Sequence, residues 1–326
     1  MFDISVIIVN LNTKSLLKAC LDSVFAESSS VNLEVIVIDN GSTDGSIEMV
    51  KFDYPQVKLK VNQSNEGFAK PNNDGMRMAT GRYLFLLNSD TVVKPGAVAA
   101  LKSILDTHLE AGVCGPMLLY PDGRLQRSVC SFHTLWTHAC DMLALDKLFP
   151  GTRLFGGGEM TTFPYDENQT QEVDSLMGAA VLLRREVWER VGGFDERFVI
   201  YYNEMDWFKR IKEGRWGIFY VHNAQIIHHR GATAAIVNKE FTYFDEMYAN
   251  TLLFFQKHYG RMSVVAYKLL LAVGFIPRTI IWWIRRLFNH SEYSVHMSIY
   301  GWKTLKLGLK FWTPLPSSLT KDEHSQ

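Results

Sequence analysis

Three short apolar runs, rich in β-branched residues and each closed by a polar cluster, constrain this chain most: Ser5–Val9, Leu33–Ile38 and Arg82–Leu87, with Val57–Val61 as a shorter third strand between the last two. Runs of that length without polar alternation predict strands buried on both faces, as in a parallel sheet covered by helices. Between them, Leu16, Leu17, Cys20, Leu21 and Val24 recur at helical spacing, Ile47–Val50 opens a second helix, and Ala69–Thr80 forms a third closed by Gly81. Strand and helix in alternation mean βαβ units with right-handed crossovers. Such sheets bind ligands beyond the carboxyl ends of their strands. Those ends carry Asn10–Asn12, Asp39–Asp44 and Asn88–Asp90, so polar residues gather where a site belongs.

Further along, the stretch 118–170 shows no regular pattern and contains Gly156, Gly157 and Gly158. Order returns with a strand over Gly178–Leu183, a helix over Glu186–Val191 and the turn Gly192-Gly193-Phe194-Asp195. A short helix over Glu204–Lys212 stops at Gly214, and Ile218–Val221 and Gln225–His228 read as two strands. Beyond about residue 241 the pattern is helical. The expected organisation is a catalytic domain over 1–240, with halves at about 1–115 and 116–240, followed by a helical segment over 241–326.

Hydrophobic residues at 47% and charged residues at 21% exclude a disordered chain. Cys20, Cys114, Cys130 and Cys140 are far apart with no CxxC pair, which predicts buried free thiols. The first βα turn, Asn10-Leu11-Asn12-Thr13-Lys14, lacks GxGxxG, which argues against a dinucleotide enzyme. Met1-Phe2-Asp3 leads straight into a strand without a basic leader, so the expected location is cytoplasmic.

Several residues suit chemistry. Asp39-Asn40-Gly41-Ser42-Thr43-Asp44-Gly45 offers carboxylates and a tight turn for a base or ribose, although an Asx-capped βα turn would look the same. Asp90, directly after a buried strand, can hold a divalent cation while donor phosphates supply further oxygens; capping the next turn is the plainer alternative. Glu204 stands at a helix start, where the dipole lowers its pKa while Tyr201, Tyr202, Met205 and Trp207 would desolvate it and raise it.

Seven blocks in order, "SVIIVNLN", "VIVIDNGSTDGS", "NEGFAKPNNDG", "GRYLFLLNSDT", "GAAVLLRREVWERVGGFDERF", "YYNEMDW" and "IIHHRGAT", resemble the family 2 glycosyltransferases, most closely the rhamnosyltransferase-like branch that uses dTDP-L-rhamnose. The resemblance spans about Ile4–Thr233. It implies a GT-A fold: α/β, Rossmann-like, with a mostly parallel central sheet flanked by helices. It places Asp39 on the nucleotide base, Asn10 and Asn12 in the first nucleotide-facing loop, and Asn65 and Gly67 beside the donor. Asp90 takes the last position of the DXD motif, with Mg2+ or Mn2+ and the diphosphate, and Asn88 replaces its first carboxylate. Glu204 falls at the catalytic base, with Asn203 in place of the usual acidic partner. Asp195 and Asp206 are implied near the acceptor, Asp195 being equally suited to a structural turn. One of His228 and His229 is implied to reach the metal or the diphosphate; strand alternation allows only one, and His228 is favoured.

From Lys257 to Lys310 nine Lys or Arg face Glu292 alone, a net +8 on a chain whose formal charge is zero. Trp282, Trp283, Arg285 and Arg286 follow an apolar stretch interrupted by Lys268, Pro277 and Arg278. Two helices lying in an anionic membrane surface are expected there, with a helical cap or a homodimer interface as the alternative. The expected activity is inverting transfer of a sugar from a nucleotide donor to a saccharide or polyprenyl-linked acceptor in cell-surface polysaccharide synthesis, on the inner face of the membrane and with no role for nucleic acid. A sugar nucleotidyltransferase is disfavoured because its Gly-rich loop is missing. A non-catalytic nucleotide-sugar-binding homologue stays open, with Asn88 and Asn203 in its favour.

Overall fold

The computed structural model describes residues 2–29, 31–149, 152, 154–155, 164–198, 202–229, 240–288 and, beyond these, 301, 302, 304 and 306. The strands are β1 (Ile4–Asn10), β2 (Leu33–Asp39), β3 (Lys58–Val61), β4 (Tyr83–Asn88), β5 (Thr91–Val93), β6 (Ala111–Leu119), β7 (Leu125–Gln126), β8 (Val129–Cys130), β9 (Gln171–Glu172), β10 (Ser175–Leu176), β11 (Ala180–Arg184) and β12 (Gly217–His228). The helices are α1 (Lys14–Ala26), α2 (Ser46–Asp53), α3 (Ala69–Met78), α4 (Ala97–Thr107), α5 (Leu135–Met142), α6 (Leu145–Leu148), α7 (Arg185–Val191), α8 (Asn203–Glu213), α9 (Glu240–Tyr259) and α10 (Arg261–Phe288). They form two compact units: Met1–Phe132 with Tyr165–Glu246, and His133–Pro164 with Met247–Gln326.

The first unit holds one large sheet in the order β3-β2-β1-β4-β11-β6-β12-β5. β1 to β4 run parallel, as the unbroken apolar runs predict, and β11 inserts antiparallel between β4 and β6. Residues expected as two strands near 218 and 228 form one, β12, whose pairing with β6 shifts register between Val221 and Gln225. Such a bulge absorbs the polar residues His222 and Asn223 without ending the strand. Val6, Ile8, Val37, Phe85 and Leu87 pack against Leu17, Leu21 and Val24 of α1 in the core. Each such side chain contributes about 1.5–3 kcal/mol by leaving water. All four cysteines are buried and free.

Register decides what the strand ends offer. Asn10 lies level with Asp39, and Val9 with Asn88. The three polar ends therefore meet along one edge. The opposite edge is closed by Glu34, which accepts hydrogen bonds from Ser5 Oγ (2.6 Å), Thr80 N (2.6 Å) and Thr80 Oγ1 (2.7 Å) and pairs with Lys58 Nζ (2.6 Å). Burial alone would raise the Glu34 pKa, but the bonds from Lys58, Ser5 and Thr80 outweigh it and pull the value down to about 2.

In the second unit, Leu252 and Phe255 of α9 pack with Tyr267 and Leu271 of α10, and Leu135 and Met142 of α5 lie against them. The two interfacial helices expected here are a single one: Pro277 sits inside α10. A proline costs a helix about 3 kcal/mol through one lost hydrogen bond and a clash, which the apolar packing of so long a helix offsets. Leu269, Val273, Ile276, Ile280 and Trp283, alternately four and three apart, are exposed along its other face. By length and composition alone, Arg261–Arg286 could also cross a bilayer. Lys303, Lys310, Phe311 and Trp312 lie outside the described residues, as do Gly156, Gly157 and Gly158.

Candidate active site

The loops after β1 and β2 are laced together. Asp39 accepts from Asn10 Nδ2 (2.7 Å) on one oxygen and from Ser42 N (2.7 Å) on the other. Ser42 Oγ in turn accepts from Asn12 N (2.8 Å), and Asn12 Oδ1 from Thr43 N (2.7 Å). Asn12 has a left-handed backbone (φ 51°), which asparagine tolerates better than most residues. Asn40 Nδ2 donates to Gly67 O (2.9 Å) and Asn65 Oδ1 (3.3 Å), tying the third loop to the second.

Burial separates these residues into two sets. Asn10 is 0% and Asp39 1% exposed, and Asp39 is hydrogen-bonded on both oxygens. They offer a ligand no open face in this conformation. What they do is order the loops on which Asn12, Asn65 and Gly67 sit nearer the surface.

The loop after β4 is anchored to the first one, Thr13 Oγ1 standing 2.9 Å from Ser89 Oγ. Pairing of β5 with β12 sets His228 level with Thr91, and His229 N donates to Asp90 O (2.9 Å). It is the His228 side chain that meets Asp90: Nε2 lies 3.4 Å from Asp90 Oδ1. On its other side, His228 Nδ1 is 2.6 Å from Gln126 Oε1. A carboxylate oxygen beside an imidazole nitrogen is a donor pair that a transition ion such as Mn2+ accepts more readily than the harder Mg2+. Among the described residues no group of three or more His, Cys, Asp or Glu could hold a metal. A cation on this pair would need a bound diphosphate or water for its remaining ligands.

Glu204 is the second residue of α8, whose N-cap Tyr202 holds a left-handed backbone (φ 61°). A bulky residue adopts that conformation at a cost of about 1–3 kcal/mol. The Glu204 carboxyl lies against the backbone of Gly178, where an added Cβ would come within 2.5 Å of Oε1. The next residue, Ala179, accepts a hydrogen bond from Asn88 N (2.9 Å), so Glu204 stands at the same sheet edge as the end of β4. The competition between helix dipole and burial resolves toward burial: desolvation raises the Glu204 pKa. Trp207 is buried and donates from Nε1 to Gly192 O (2.8 Å), whereas Tyr201 lies outside the described residues.

The two acceptor carboxylates do not face an open site. Asp206 is 0% exposed and pairs with Arg210 Nε (2.9 Å), while the same guanidinium donates to Val191 O and Gly193 O. Asp195 is held by Arg197 through both oxygens, 2.9 Å to Nε and 2.6 Å to Nη2. Both carboxylates are spent on fixing the Gly192–Phe198 turn. For Asp195 the turn alternative is the one the geometry favours.

Ser89, Gln126 and Gly178 join these residues in the structure although the sequence does not single them out. A hydroxyl in a turn, a lone glutamine and a glycine before a strand carry no pattern specific enough to single them out.

The family described as Glycosyl transferase family 2 matches residues 5–192, more than half of the chain. The chain belongs to that family. It is 27% identical over 211 residues to an N-acetylglucosaminyl-diphospho-decaprenol L-rhamnosyltransferase of Mycobacterium tuberculosis, a match covering 61% of this chain and 67% of the relative. The fold is that of GT-A glycosyltransferases. GalNAc-T7, solved with UDP, GalNAc and Mn2+, superposes with TM-score 0.57 at 15% identity over 97% of this chain and 59% of that one. The mannosyltransferase PcManGT of Pyrobaculum calidifontis, solved with GDP-Man and Mn2+, gives 0.51 at 14% identity over 95% and 89%.

Proposed function

We propose that this family 2 glycosyltransferase is an inverting, metal-dependent enzyme that moves L-rhamnose from dTDP-L-rhamnose to a polyprenyl-linked saccharide. The observation that carries the reading is the convergence of Asp90 and His228 at the end of β4. The mycobacterial relative, named for rhamnosyl transfer to a decaprenyl-linked sugar, supports the donor and acceptor classes.

Asn12, Asn65 and Gly67 line the donor, held by the network under them. Asp90 and His228 would hold Mg2+ or Mn2+, which would supply counter-charge to the leaving nucleoside diphosphate. Glu204 takes the proton from the acceptor hydroxyl as it attacks the anomeric carbon. Its pKa, raised by burial, makes the ionised carboxylate a stronger base than that of an exposed glutamate. Asn88 and the Asp206–Arg210 pair act by shape rather than by charge on the substrate.

The second unit serves the membrane. The exposed face of α10 enters the headgroup region of an anionic leaflet while its other face stays on its own core. Arg285 stacks over Trp282 at 5.0 Å, a cation and an aromatic of the kind that settle at that depth. The location this gives is the inner face of a cell membrane, with a homodimer on the same stripe as the alternative.

A thermal-shift and transfer panel of dTDP-, UDP- and GDP-sugars, with and without Mn2+, tests the reading. Stabilisation and transfer by dTDP-L-rhamnose only with Mn2+ are expected. Preference for another donor, or full turnover in EDTA, contradicts it.

A further inference from the structure

Gln126 is fully buried, at 0% exposure, yet its Nε2 has no hydrogen-bond partner. A glutamine kept in a core for structure alone uses both ends of its amide. This one uses its oxygen, 2.6 Å from His228 Nδ1. The contact is set by sheet register: Gln126 pairs with Leu118 of β6, Leu118 with Ile226 of β12, and His228 is two residues on, on the same face as Ile226. The strands of Gln126 and His228 flank β6, and the side chains meet across it.

An amide oxygen only accepts, so Nδ1 carries the proton and, in the neutral ring, Nε2 carries a lone pair. That lone pair faces Asp90 Oδ1 at 3.4 Å. In that neutral ring two acceptors face each other, an arrangement that either a second ring proton or a metal cation would relieve.

We propose that Gln126 is the positioning residue of the Asp90–His228 pair: its carbonyl fixes the Nδ1–H tautomer, so that Nε2 is presented unprotonated as a ligand. The proposal rests on the reading that a divalent ion sits on this pair. Gln126 touches neither substrate nor metal; it acts through the histidine.

The test uses the full chain labelled with 15N, metal-free, and long-range 1H–15N spectra of the His228 ring. Mn2+ affinity in the presence of dTDP is read separately from the free-ion EPR signal. Wild type is expected to show the Nδ1–H tautomer. Gln126→Leu loses that tautomer and weakens Mn2+ binding about 10–100-fold, the range typical of groups that orient metal-binding histidines. Gln126→Glu keeps an acceptor and so keeps both the tautomer and most of the affinity, which also guards against a Leu variant that folds poorly. An Nε2–H tautomer in wild type, or undiminished Mn2+ affinity in a folded Gln126→Leu, overturns the proposal. Failure of the underlying metal reading has a different signature: His228→Ala then binds Mn2+ like wild type although the tautomer is the expected one.

Discussion

At the amino ends of β1 and β2, Glu34 is surrounded by Ser5, Thr80 and Lys58, and its pKa falls to about 2. At the carboxyl ends of the same sheet, Glu204 lies against Gly178 with its pKa raised by burial, and Asp90 faces an imidazole at 3.4 Å. The residue types are alike at the two edges. What differs is whether the charge has been answered. A carboxylate supplied with donors stabilises the fold, whereas one deprived of them is ready for a proton or a cation and costs stability while it waits. The comparison makes the carboxyl edge the better candidate for function without reference to any relative.

Replacing Asp90 should separate the two edges most sharply. Asp90→Ala is expected to lower transfer on the order of 10³-fold or more, as the leaving diphosphate loses its counter-charge. Circular dichroism should show a folded protein. Turnover near wild type would place the metal elsewhere.

The amino edge should answer in stability instead. A carboxylate whose folded pKa lies below its unfolded value of 4.5 stabilises the protein above pH 4.5, and that stability is lost as pH falls toward about 2. Glu34→Gln is therefore expected to cost roughly 2–3 kcal/mol at pH 7 by urea denaturation. Below about pH 2 the difference should vanish, and kcat per folded molecule should not change.

Gly178→Ala probes the catalytic edge without touching a charge. Its methyl would displace the Glu204 carboxyl, and a misplacement of about 1 Å costs up to 10²-fold. A drop in kcat of roughly 10–100-fold with unchanged donor affinity is expected from steady-state kinetics. Loss of donor binding would mean that the glycine supports the nucleotide loop.

The smallest effect lies outside the sheet. Arg285→Ala or Arg286→Ala should weaken flotation with phosphatidylglycerol vesicles by about 1 kcal/mol each, and added salt should mimic both. Kinetics on a soluble acceptor analogue should be untouched. Indifference to vesicles, with a dimer that changes on mutation, assigns the stripe to a second copy.

Much of this was legible in the chain itself. Unbroken runs such as Val6–Val9 and Leu84–Leu87 can be buried only between two layers, and so they specify a parallel sheet. The polar strand ends then had to meet. Burial of individual polar residues was not legible, because Asp39 and Asp206 look as accessible in sequence as Asp90. Their partners come from other elements or another turn: Asn10 and Ser42 for Asp39, and Arg210, Val191 and Gly193 around Asp206. Gln126 and Gly178 were invisible for the same reason, since register across β6 and the approach of α8 give them their roles. Pro277 misled in the other direction, since a proline marks a helix break only where packing does not hold the helix together.

The central claim is that Glu204 is the group left unanswered so that it can accept a proton. The pH dependence of kcat/KM for transfer from dTDP-L-rhamnose, in wild type and Glu204→Gln, tests it most directly. A base must be ionised, so wild-type activity should rise with pH through a single limb lying above the usual glutamate range, as the raised pKa requires. Glu204→Gln should lose about 10²–10⁴-fold and the limb with it. Donor affinity should hold, and neutral-pH stability should rise slightly, because the fold no longer carries a desolvated charge. A Glu204→Gln enzyme that keeps the limb and its rate would contradict the claim and move the base to another residue.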